Sequence, residues 1–580
     1  MTRAPLVLLL SLAPPAWAAG KSPLPVNEVA TPRPDDPDRG RILGLQEALD
    51  GLVHGPVLGR LRVGLRVEDL WSGRVLYGWR SSVLMDPASN QKVLSTASAL
   101  LRLGNAFRFR TEVTGAAPDA EGAIEGDVVI RGSGDPSLRA RHIHELAKLL
   151  VRRGASRVSG AILGDSRRIG CEEGTGRSPL RVRATALEVR VRPGERAGRR
   201  PSVSLHPAWE AFAVVNQAET RSKGRSRLGV SVERVGNRFN VVVTGTISKT
   251  RGEVTLRRAA PSHALFAAIL LRQALLEAGV SVAGGAGVFT PAEPPRVAAL
   301  EGALMALGPA AADSEPVLAH REPPPEPDAA AEILAVHESA PLPILLRRVN
   351  KNSDNAWSER VLEAAGGEVH GGPATTAKGV RVMRETLAEL GLPASAFEPH
   401  NGSGLGHQNR VTSAGMVGLL RRLYFDPRIG PEIVQSLSVG GVDGTTKNRF
   451  FGSSAAHRVR AKTGTLNGVS CLSGYVGDDA DVLVFSILVE GHRKRAVPKV
   501  RAAQVAAVNA MMRFARRAAG PPPAEEATPG SDLETGGETE ESVDLPSESP
   551  AEGTDSSDPE HTPASSPGIG VSSSASEKPL

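Results

Sequence analysis

The sequence of 580 residues contains only two cysteines and no uninterrupted hydrophobic run that could cross a membrane. Cys171 and Cys471 allow at most one disulfide bond, and we expect two free thiols because residues in different domains rarely meet disulfide geometry. After the N-terminus, the most hydrophobic segment spans residues 264–280, and three charged or polar residues interrupt it. We therefore expect no transmembrane anchor.

Recognisable metal-binding and nucleic-acid-binding motifs are also missing. His142 and His144 lie close together, but no cysteine or carboxylate cluster accompanies them at ligand spacing. We interpret the pair as part of a surface helix, and we expect no metal site and no cofactor. No nucleic-acid reader motif occurs, so we also expect no nucleic-acid partner.

The N-terminus has the features of an export signal. Arg3 precedes an apolar run over residues 6–13, and small residues surround the tripeptide Ala16-Trp17-Ala18. This pattern predicts a cleavable signal peptide over residues 1–18 and a periplasmic location. No cysteine lies at the predicted cleavage point, which argues against a lipoprotein.

Charge is distributed unevenly along the chain. The segment from Pro521 to Leu580 carries 14 acidic residues and one lysine, a net charge of −13, whereas the whole chain is +6. This segment has almost no large apolar residues, so we predict a disordered acidic tail over residues 520–580. The remaining basic body favours an anionic partner, and cell-wall polymer suits an exported protein better than nucleic acid.

Ser89 and Lys92 form the first of three motifs that carry chemistry. Ser89 opens a run with helical spacing of apolar residues that ends at Gly104, so Lys92 lies one helical turn from Ser89 on the same face. A serine hydroxyl needs a base, and a lysine can act as one when burial and nearby positive charge lower its pKa. A Ser-x-x-Lys pair alone is a weak signal, because a solvated helix start can contain one by chance.

Two further motifs follow in order. Ser353-Asp354-Asn355 lies between two predicted helices, and Lys462-Thr463-Gly464 lies on a predicted strand. A turn at Asn467-Gly468 then leads into two more predicted strands, which complete a meander. Each of these two motifs has a structural alternative: the first could be a helix N-cap, and the second could be part of an edge strand. All three motifs in this order nevertheless indicate a serine nucleophile with a lysine base.

The spacing and the surrounding sequence resemble one family. Ser353 lies 264 positions after Ser89 in the sequence, which leaves room for a large insert. Together with the three motifs, the segments Gly132–Leu138, Asn350–Asn355 and Gly441–Thr445 resemble signatures of the class C penicillin-binding proteins, the D-alanyl-D-alanine carboxypeptidase/endopeptidase family. The resemblance extends from about Arg41 to Arg517.

The resemblance implies an α/β (α+β) fold with a serine β-lactamase/transpeptidase-like domain, whose antiparallel sheet is flanked by helices, and a large β-rich inserted domain. We expect the first part of the catalytic domain at residues 41–108, the insert at 109–290 and the second part at 291–517. A flexible linker is expected at 308–331. The last helix, from about Lys499, is expected to pack against the sheet, although its basic residues also suit a membrane surface.

The resemblance also implies residue roles. Ser89 would attack the carbonyl and Lys92 would act as its base, while Lys462 would supply positive field. The other implied roles are proton relay to the leaving amine by Ser353, contact with the substrate amide by Asn355, carboxylate binding by Thr463 beside Gly464, and an oxyanion hole formed by the backbone N–H groups of Ser89 and Thr465. Peptidoglycan peptides would be the substrates and β-lactam antibiotics covalent inhibitors.

One segment departs from the family pattern. Asn401-Gly402-Ser403-Gly404-Leu405-Gly406-His407 replaces a segment that usually reads Asp-Gly-Ser-Gly-Leu-Ser-Arg. Substrate preference therefore stays open at the level of sequence. A β-lactamase or esterase of the same fold and a non-catalytic cell-wall-binding protein remain alternatives, although the intact Ser89 and Lys92 argue against the second.

Overall fold

The computed structural model describes residues 28–29, 31–167, 180–182, 187–206, 208, 212–236, 238–258, 262–289, 331–478 and 481–515. The predicted signal peptide, Cys171, the acidic tail and all but the last residue of the predicted linker lie outside these ranges.

The elements of the described residues are as follows in chain order. The helices are α1 (Arg39–Val53), α2 (Gln91–Leu103), α3 (Ala140–Arg152), α4 (His263–Glu277), α5 (Leu342–Lys351), α6 (Asn355–His370), α7 (Thr376–Glu389), α8 (Ser413–Phe425), α9 (Gly430–Ser436) and α10 (Val497–Ala515). The strands are β1 (Arg62–Asp69), β2 (Val75–Trp79), β3 (Arg110–Gly115), β4 (Ala123–Ile124), β5 (Val128–Gly132), β6 (Arg157–Val158), β7 (Ile162–Asp165), β8 (Leu187–Arg192), β9 (Ser202–His206), β10 (Phe212–Asn216), β11 (Glu219–Arg221), β12 (Arg227–Val235), β13 (Arg238–Ser248), β14 (Val254–Arg258), β15 (Ser281–Val282), β16 (Ala286–Val288), β17 (Glu332–Glu338), β18 (Phe397–Glu398), β19 (Arg410–Val411), β20 (Ser438–Val439), β21 (Val459–Leu466), β22 (Val469–Asp478) and β23 (Asp481–Glu490).

A six-stranded antiparallel sheet holds the third motif. Its strand order is β2-β1-β23-β22-β21-β20, so the first and last parts of the chain pair through β1 and β23. The turn at Asn467-Gly468 joins β21 to β22, and Gly468 has a φ of 75°, a left-handed conformation that glycine adopts without a steric penalty. The predicted meander is confirmed.

Side chains alternate across this sheet with a period of two. Along β23, Phe485 and Ile487 enter a core shared with α1 and α10, whereas Val484 and Leu488 enter a second core on the other face, shared with α2 and α5–α9. Helix α10 buries Val508 and its neighbours in the first core, which confirms the expectation that the last helix packs against the sheet. Helices on both faces of an antiparallel sheet confirm the predicted fold class.

The segment between α2 and α5 is rich in β-strands and has its own core. A five-stranded sheet of order β16-β7-β5-β3-β17 lies beside three smaller sheets. Helix α4 begins after the N-cap Ser262, whose side chain accepts a hydrogen bond from the Leu265 N–H. Val113, Phe239 and Leu271 belong to the core that these elements share.

The chain enters and leaves the β-rich segment through adjacent residues. Ser339 donates its N–H to the Phe109 carbonyl at 2.9 Å, and its Oγ accepts from the Phe109 N–H at 3.0 Å. Strand β17 pairs with β3, so residues 332–338 belong to the same sheet as strands of the predicted insert. The domain limits at 109 and 290 stay predictions.

A substitution in the core beneath α1 and α10 tests this packing. Phe485 is fully buried, so Phe485→Ala should lower the free energy of unfolding by roughly 3–5 kcal/mol through lost burial and a residual cavity. Denaturant unfolding measures the change. The control is Phe451→Ala, the same substitution at a ring that is 87% exposed, which should change stability little. Equal losses in the two variants would contradict the described core.

Candidate active site

The nucleophile candidate lies on a strained turn at the start of α2. Residues Ala88–Asn90 form a 3₁₀ turn that leads directly into the helix, and Ala88 has a φ of 45°. A non-glycine residue in this left-handed region is energetically unfavourable and persists only where the surroundings enforce it. Asn90 anchors the turn to the sheet, because its side-chain amide donates to Ser473 Oγ at 2.7 Å.

Lys92 reaches back over one helical turn to Ser89, and its Nζ lies 3.0 Å from Ser89 Oγ. The same amine contacts Asn355 Oδ1 at 2.7 Å and the Ser403 carbonyl at 2.5 Å. The side chain is fully buried. Burial lowers the pKa of Lys92 to about 7, against the opposing effect of the Glu359 carboxylate.

A lysine with this pKa can hold or release a proton at neutral pH. A neutral amine donates through two hydrogens and has one lone pair, so it can donate to Asn355 and Ser403 while accepting the Ser89 hydroxyl proton. With Lys92 Nζ in hydrogen-bond reach of the Ser89 hydroxyl, these contacts meet the distance requirement for a general base.

The second motif lies in the short connection between α5 and α6, as predicted. Ser353 has a φ of 56°, which turns the backbone sharply before α6 begins at Asn355. Asp354 is the N-cap, and its side chain accepts from the Trp357 N–H at 3.2 Å. The capping role and the proposed chemical role thus fall on different residues of the same motif.

Lys462 on β21 joins the second motif to the third. Its Nζ lies 3.0 Å from Ser353 Oγ and donates to the Thr463 carbonyl at 2.8 Å. Lys462 is fully buried, and burial, followed by the nearby charge of Lys92, holds the pKa of its amine well below the usual value. The five predicted residues thus form two neighbouring sets of polar contacts. Lys92 contacts Ser89 and Asn355, Lys462 contacts Ser353, and the charge of Lys92 is felt at Lys462.

Gly464 allows β21 to approach the 3₁₀ turn that contains Ser89. A Cβ at this position would lie 2.7 Å from the Pro87 carbonyl oxygen and 3.1 Å from the Ala88 Cβ, and both neighbours are held in the turn. Thr463 Oγ1 donates to Thr445 Oγ1 at 2.7 Å. Thr465 is exposed on the same strand. The edge of β21 thus presents two threonines around a glycine that permits close contact.

The divergent segment Asn401–His407 forms one wall of the site. Asn401 Oδ1 accepts from the Gly404 N–H at 2.8 Å, and its amide donates to the Leu405 carbonyl at 2.8 Å. Both of these hydrogen bonds join the Asn401 side chain to backbone groups of the same loop. Asparagine therefore stabilises the loop at the position where the family usually has aspartate. The resulting conformation directs the Ser403 carbonyl at Lys92.

Sequence reasoning did not identify three residues that shape this region. Glu359 on α6 accepts from the Ser403 N–H at 2.8 Å and so fixes the loop that contacts Lys92. Thr445 contacts Thr463. His407 Nδ1 lies 2.7 Å from Asp86 Oδ2, while Asp86 Oδ1 accepts from the Ala88 N–H. Thr445 and His407 lie in segments that the sequence had already singled out, whereas nothing in the sequence marks Glu359.

Two other expectations concern thiols and membranes. Cys471 is a free, buried thiol, and burial raises the pKa of its Sγ well above the usual value. Within the part of the chain that the structure describes, no helix is both long enough and apolar enough to span a membrane.

Comparisons with known proteins place this geometry in a family. The model described as the D-Ala-D-Ala carboxypeptidase 3 (S13) family matches residues 45–303 and 319–511. A D-alanyl-D-alanine carboxypeptidase of Actinomadura sp. is 30% identical over 488 residues, which cover 80% of this chain and 84% of that relative. D-alanyl-D-alanine carboxypeptidase DacB of Haemophilus influenzae is 23% identical over 434 residues, which cover 71% of this chain and 82% of that relative.

A solved structure shows the same fold. The crystal structure of penicillin-binding protein 4 from Haemophilus influenzae aligns with a TM-score of 0.60 at 19% identity, over 80% of this chain and 97% of that chain. The transpeptidase-like architecture predicted from the sequence is thereby confirmed. The chain belongs to the D-Ala-D-Ala carboxypeptidase 3 (S13) family, which confirms the predicted serine-type D-alanyl-D-alanine carboxypeptidase.

Proposed function

We propose that this carboxypeptidase is exported to the periplasm and cleaves D-alanyl-D-alanine bonds of peptidoglycan peptides through an acyl-enzyme on Ser89. The observation that carries the proposal is the contact of 3.0 Å between Ser89 Oγ and the buried amine of Lys92, whose pKa is lowered to about 7. A serine beside a neutral, immobilised amine is an activated nucleophile.

Acylation starts with transfer of the Ser89 hydroxyl proton to Lys92 Nζ. Ser89 Oγ then bonds to the carbonyl carbon, and the carbonyl oxygen takes the negative charge. The backbone N–H groups of Ser89 and Thr465 are the proposed donors to that oxyanion, and Gly464 lets their two segments approach each other. One such donor commonly contributes about 10²–10³ in rate.

Collapse of this intermediate breaks the C–N bond and releases D-alanine or a cross-bridging amine. Ser353 Oγ donates its proton to the leaving nitrogen and takes up in exchange the proton that Lys92 removed from Ser89. Lys462 Nζ, 3.0 Å from Ser353 Oγ, keeps its own proton and holds this hydroxyl in place. Lys92, once neutral again, activates the water that hydrolyses the ester, which restores the Ser89 hydroxyl. The proton removed from the nucleophile in each half-reaction thus returns to a leaving group.

Substrate recognition uses the edge of β21. Thr463 and Thr445 present hydroxyl groups to the terminal carboxylate, and Asn355 contacts the substrate amide while holding Lys92. A bound carboxylate favours the protonated form of the buried Lys462, because an anion next to a desolvated amine raises its pKa. A bound carboxylate therefore strengthens the positive field that Lys462 supplies. β-Lactams share the carboxylate and a reactive amide, so they are proposed to acylate Ser89 and remain trapped there.

Peptidoglycan fragments of known structure test this function. The full-length mature chain should release D-alanine from pentapeptides and should be inhibited by stoichiometric penicillin, as measured by mass spectrometry of the products. Cleavage of cross-linked dimers in parallel would reveal endopeptidase action. If the chain hydrolysed penicillin rapidly and left the pentapeptide uncleaved, it would be a β-lactamase and the proposal would be overturned.

The nucleophile assignment predicts a selective loss of labelling. Ser89→Ala should abolish covalent attachment of fluorescent penicillin without unfolding the chain, since it removes the hydroxyl that lies 3.0 Å from Lys92 Nζ. Gel fluorescence and circular dichroism measure the two effects. Ser82→Ala removes an exposed hydroxyl seven residues earlier and should label normally. Undiminished labelling of Ser89→Ala would exclude Ser89 as the nucleophile.

The lowered pKa of Lys92 predicts the pH dependence of acylation. Only the neutral amine accepts the Ser89 proton. The second-order rate constant for acylation by penicillin should therefore increase with pH, reach half of its maximum at about pH 7 and become constant at higher pH. Below the midpoint the rate should fall about tenfold per pH unit. Stopped-flow fluorescence from about pH 5.5 to 9 measures the profile. The thermal unfolding midpoint over the same range is the control, and a flat rate profile would show that another group is the base.

A further inference from the structure

Three side chains that lie far apart in the sequence meet in the β-rich segment, away from the active site. Asp135 lies in the loop between β5 and α3, His142 lies in the first turn of α3, and His337 lies on β17. One oxygen or nitrogen atom of each side chain lies within 4.8 Å of the others. None of the three has a part in the chemistry described above.

Asp135 is held with one oxygen directed at this cluster. Its Oδ1 accepts from the Ser137 N–H at 2.7 Å and from Ser137 Oγ at 2.6 Å. Its Oδ2 is buried and has no hydrogen-bond partner. The side chain itself is fully shielded from solvent. A carboxylate oxygen left in this way costs free energy unless a cation or a donor satisfies it.

His337 faces that oxygen with an equally unsatisfied atom. His337 Nε2 is buried without a hydrogen-bond partner and lies 3.6 Å from Asp135 Oδ2, too far for a hydrogen bond. In tetrahedral zinc sites, metal–ligand distances of about 2.0–2.2 Å place ligand atoms roughly 3.3–3.6 Å apart. The gap between the two atoms therefore matches a bridging metal ion better than a direct contact.

His142 supplies the third donor. Its ring stacks on that of His337 with centroids 4.1 Å apart. Its Nδ1 accepts from the Arg139 N–H at 3.2 Å, and its Nε2 lies 3.1 Å from Nε of the exposed Arg141. A neutral imidazole has one lone pair, so it cannot accept from both donors. Binding an ion would exchange one of these contacts for a metal bond.

We propose that Asp135, His142 and His337 bind one divalent transition-metal ion. Two imidazoles and one carboxylate form a borderline donor set that suits zinc well, and they leave a fourth position for water. The Ser137 hydrogen bonds to Asp135 would orient the carboxylate from behind, as neighbours of metal ligands commonly do.

The ion would join segments that the chain keeps far apart. His337 lies on the strand that leads back into the catalytic part, whereas Asp135 and His142 flank the start of α3. A metal bond across such a long loop stabilises the folded state because the unfolded chain has no preformed site. The effect expected is on stability, and the acylation rate should stay unchanged.

Zinc titration of the full chain after removal of metal by a chelator tests the proposal. Isothermal titration should show one high-affinity ion per chain, and zinc should raise the thermal unfolding midpoint. His337→Gln and Asp135→Asn should each weaken binding by at least about tenfold. The matched control is His144→Gln on the same helix, where the imidazole contacts the Ala140 carbonyl and Glu277 instead of the cluster.

Cobalt provides a readout that does not depend on the folding of any variant. Co²⁺ bound to the wild-type chain in a four-coordinate site should give intense visible absorption, and one equivalent of Zn²⁺ should abolish it. Fluorescent penicillin labelling, expected to be equal in all these proteins, reports separately on the active site. Absence of zinc binding by the wild-type chain at millimolar concentration, or identical binding by His337→Gln, Asp135→Asn and the wild type, would overturn the proposal.

Discussion

Burial of two lysine amines is the constraint around which the active site is built. Lys92 and Lys462 are both fully shielded from solvent, and removing an ammonium group from water is costly unless acceptors replace the water or the proton leaves. The fold supplies both remedies. Acceptors come from the 3₁₀ turn, from α6 and from the Asn401–His407 loop, and desolvation lowers both pKa values. The lowered pKa that would let Lys92 act as a base thus results from the same packing that buries its amine.

Close packing around these amines coincides with backbone conformations that are rare for residues other than glycine. Ala88 and Ser353 have positive φ values although neither is glycine. Gly404 packs directly against Ala88, and a Cβ at position 404 would lie 1.8 Å from the Ala88 carbonyl oxygen. Gly464 approaches the same turn from β21. The strained conformation of Ala88 is therefore held by contacts from two sides, which fix the position of the neighbouring Ser89 before any substrate binds.

Much of the fold and of the site was predictable because the information is local. The three motifs, the meander and the connection before α6 each follow from short patterns of spacing, capping and turns. Glu359 was not predictable, because an isolated glutamate on a helix gives no sign that it will accept hydrogen bonds from a distant loop. The same holds for His337, whose neighbours Asp135 and His142 lie about 200 residues earlier in the sequence. Pairing of β17 with β3 creates that proximity, and strand pairing over such distances cannot be deduced from periodicity alone.

Strand β17 connects the β-rich segment to the part of the chain that contains Ser353. The strand ends at Glu338, Ser339 closes a pair of hydrogen bonds with Phe109, and α5 then runs from Leu342 to Lys351, two residues before Ser353. Lys351 is in turn held by Asp443 at 2.5 Å, close to the threonine that contacts Thr463. A short run of hydrogen-bonded elements, β17 and α5, therefore connects the β-rich segment to Ser353. On the other side, α2, which carries Lys92, ends six residues before Phe109, so both connections of the β-rich segment lead into elements that hold the active site.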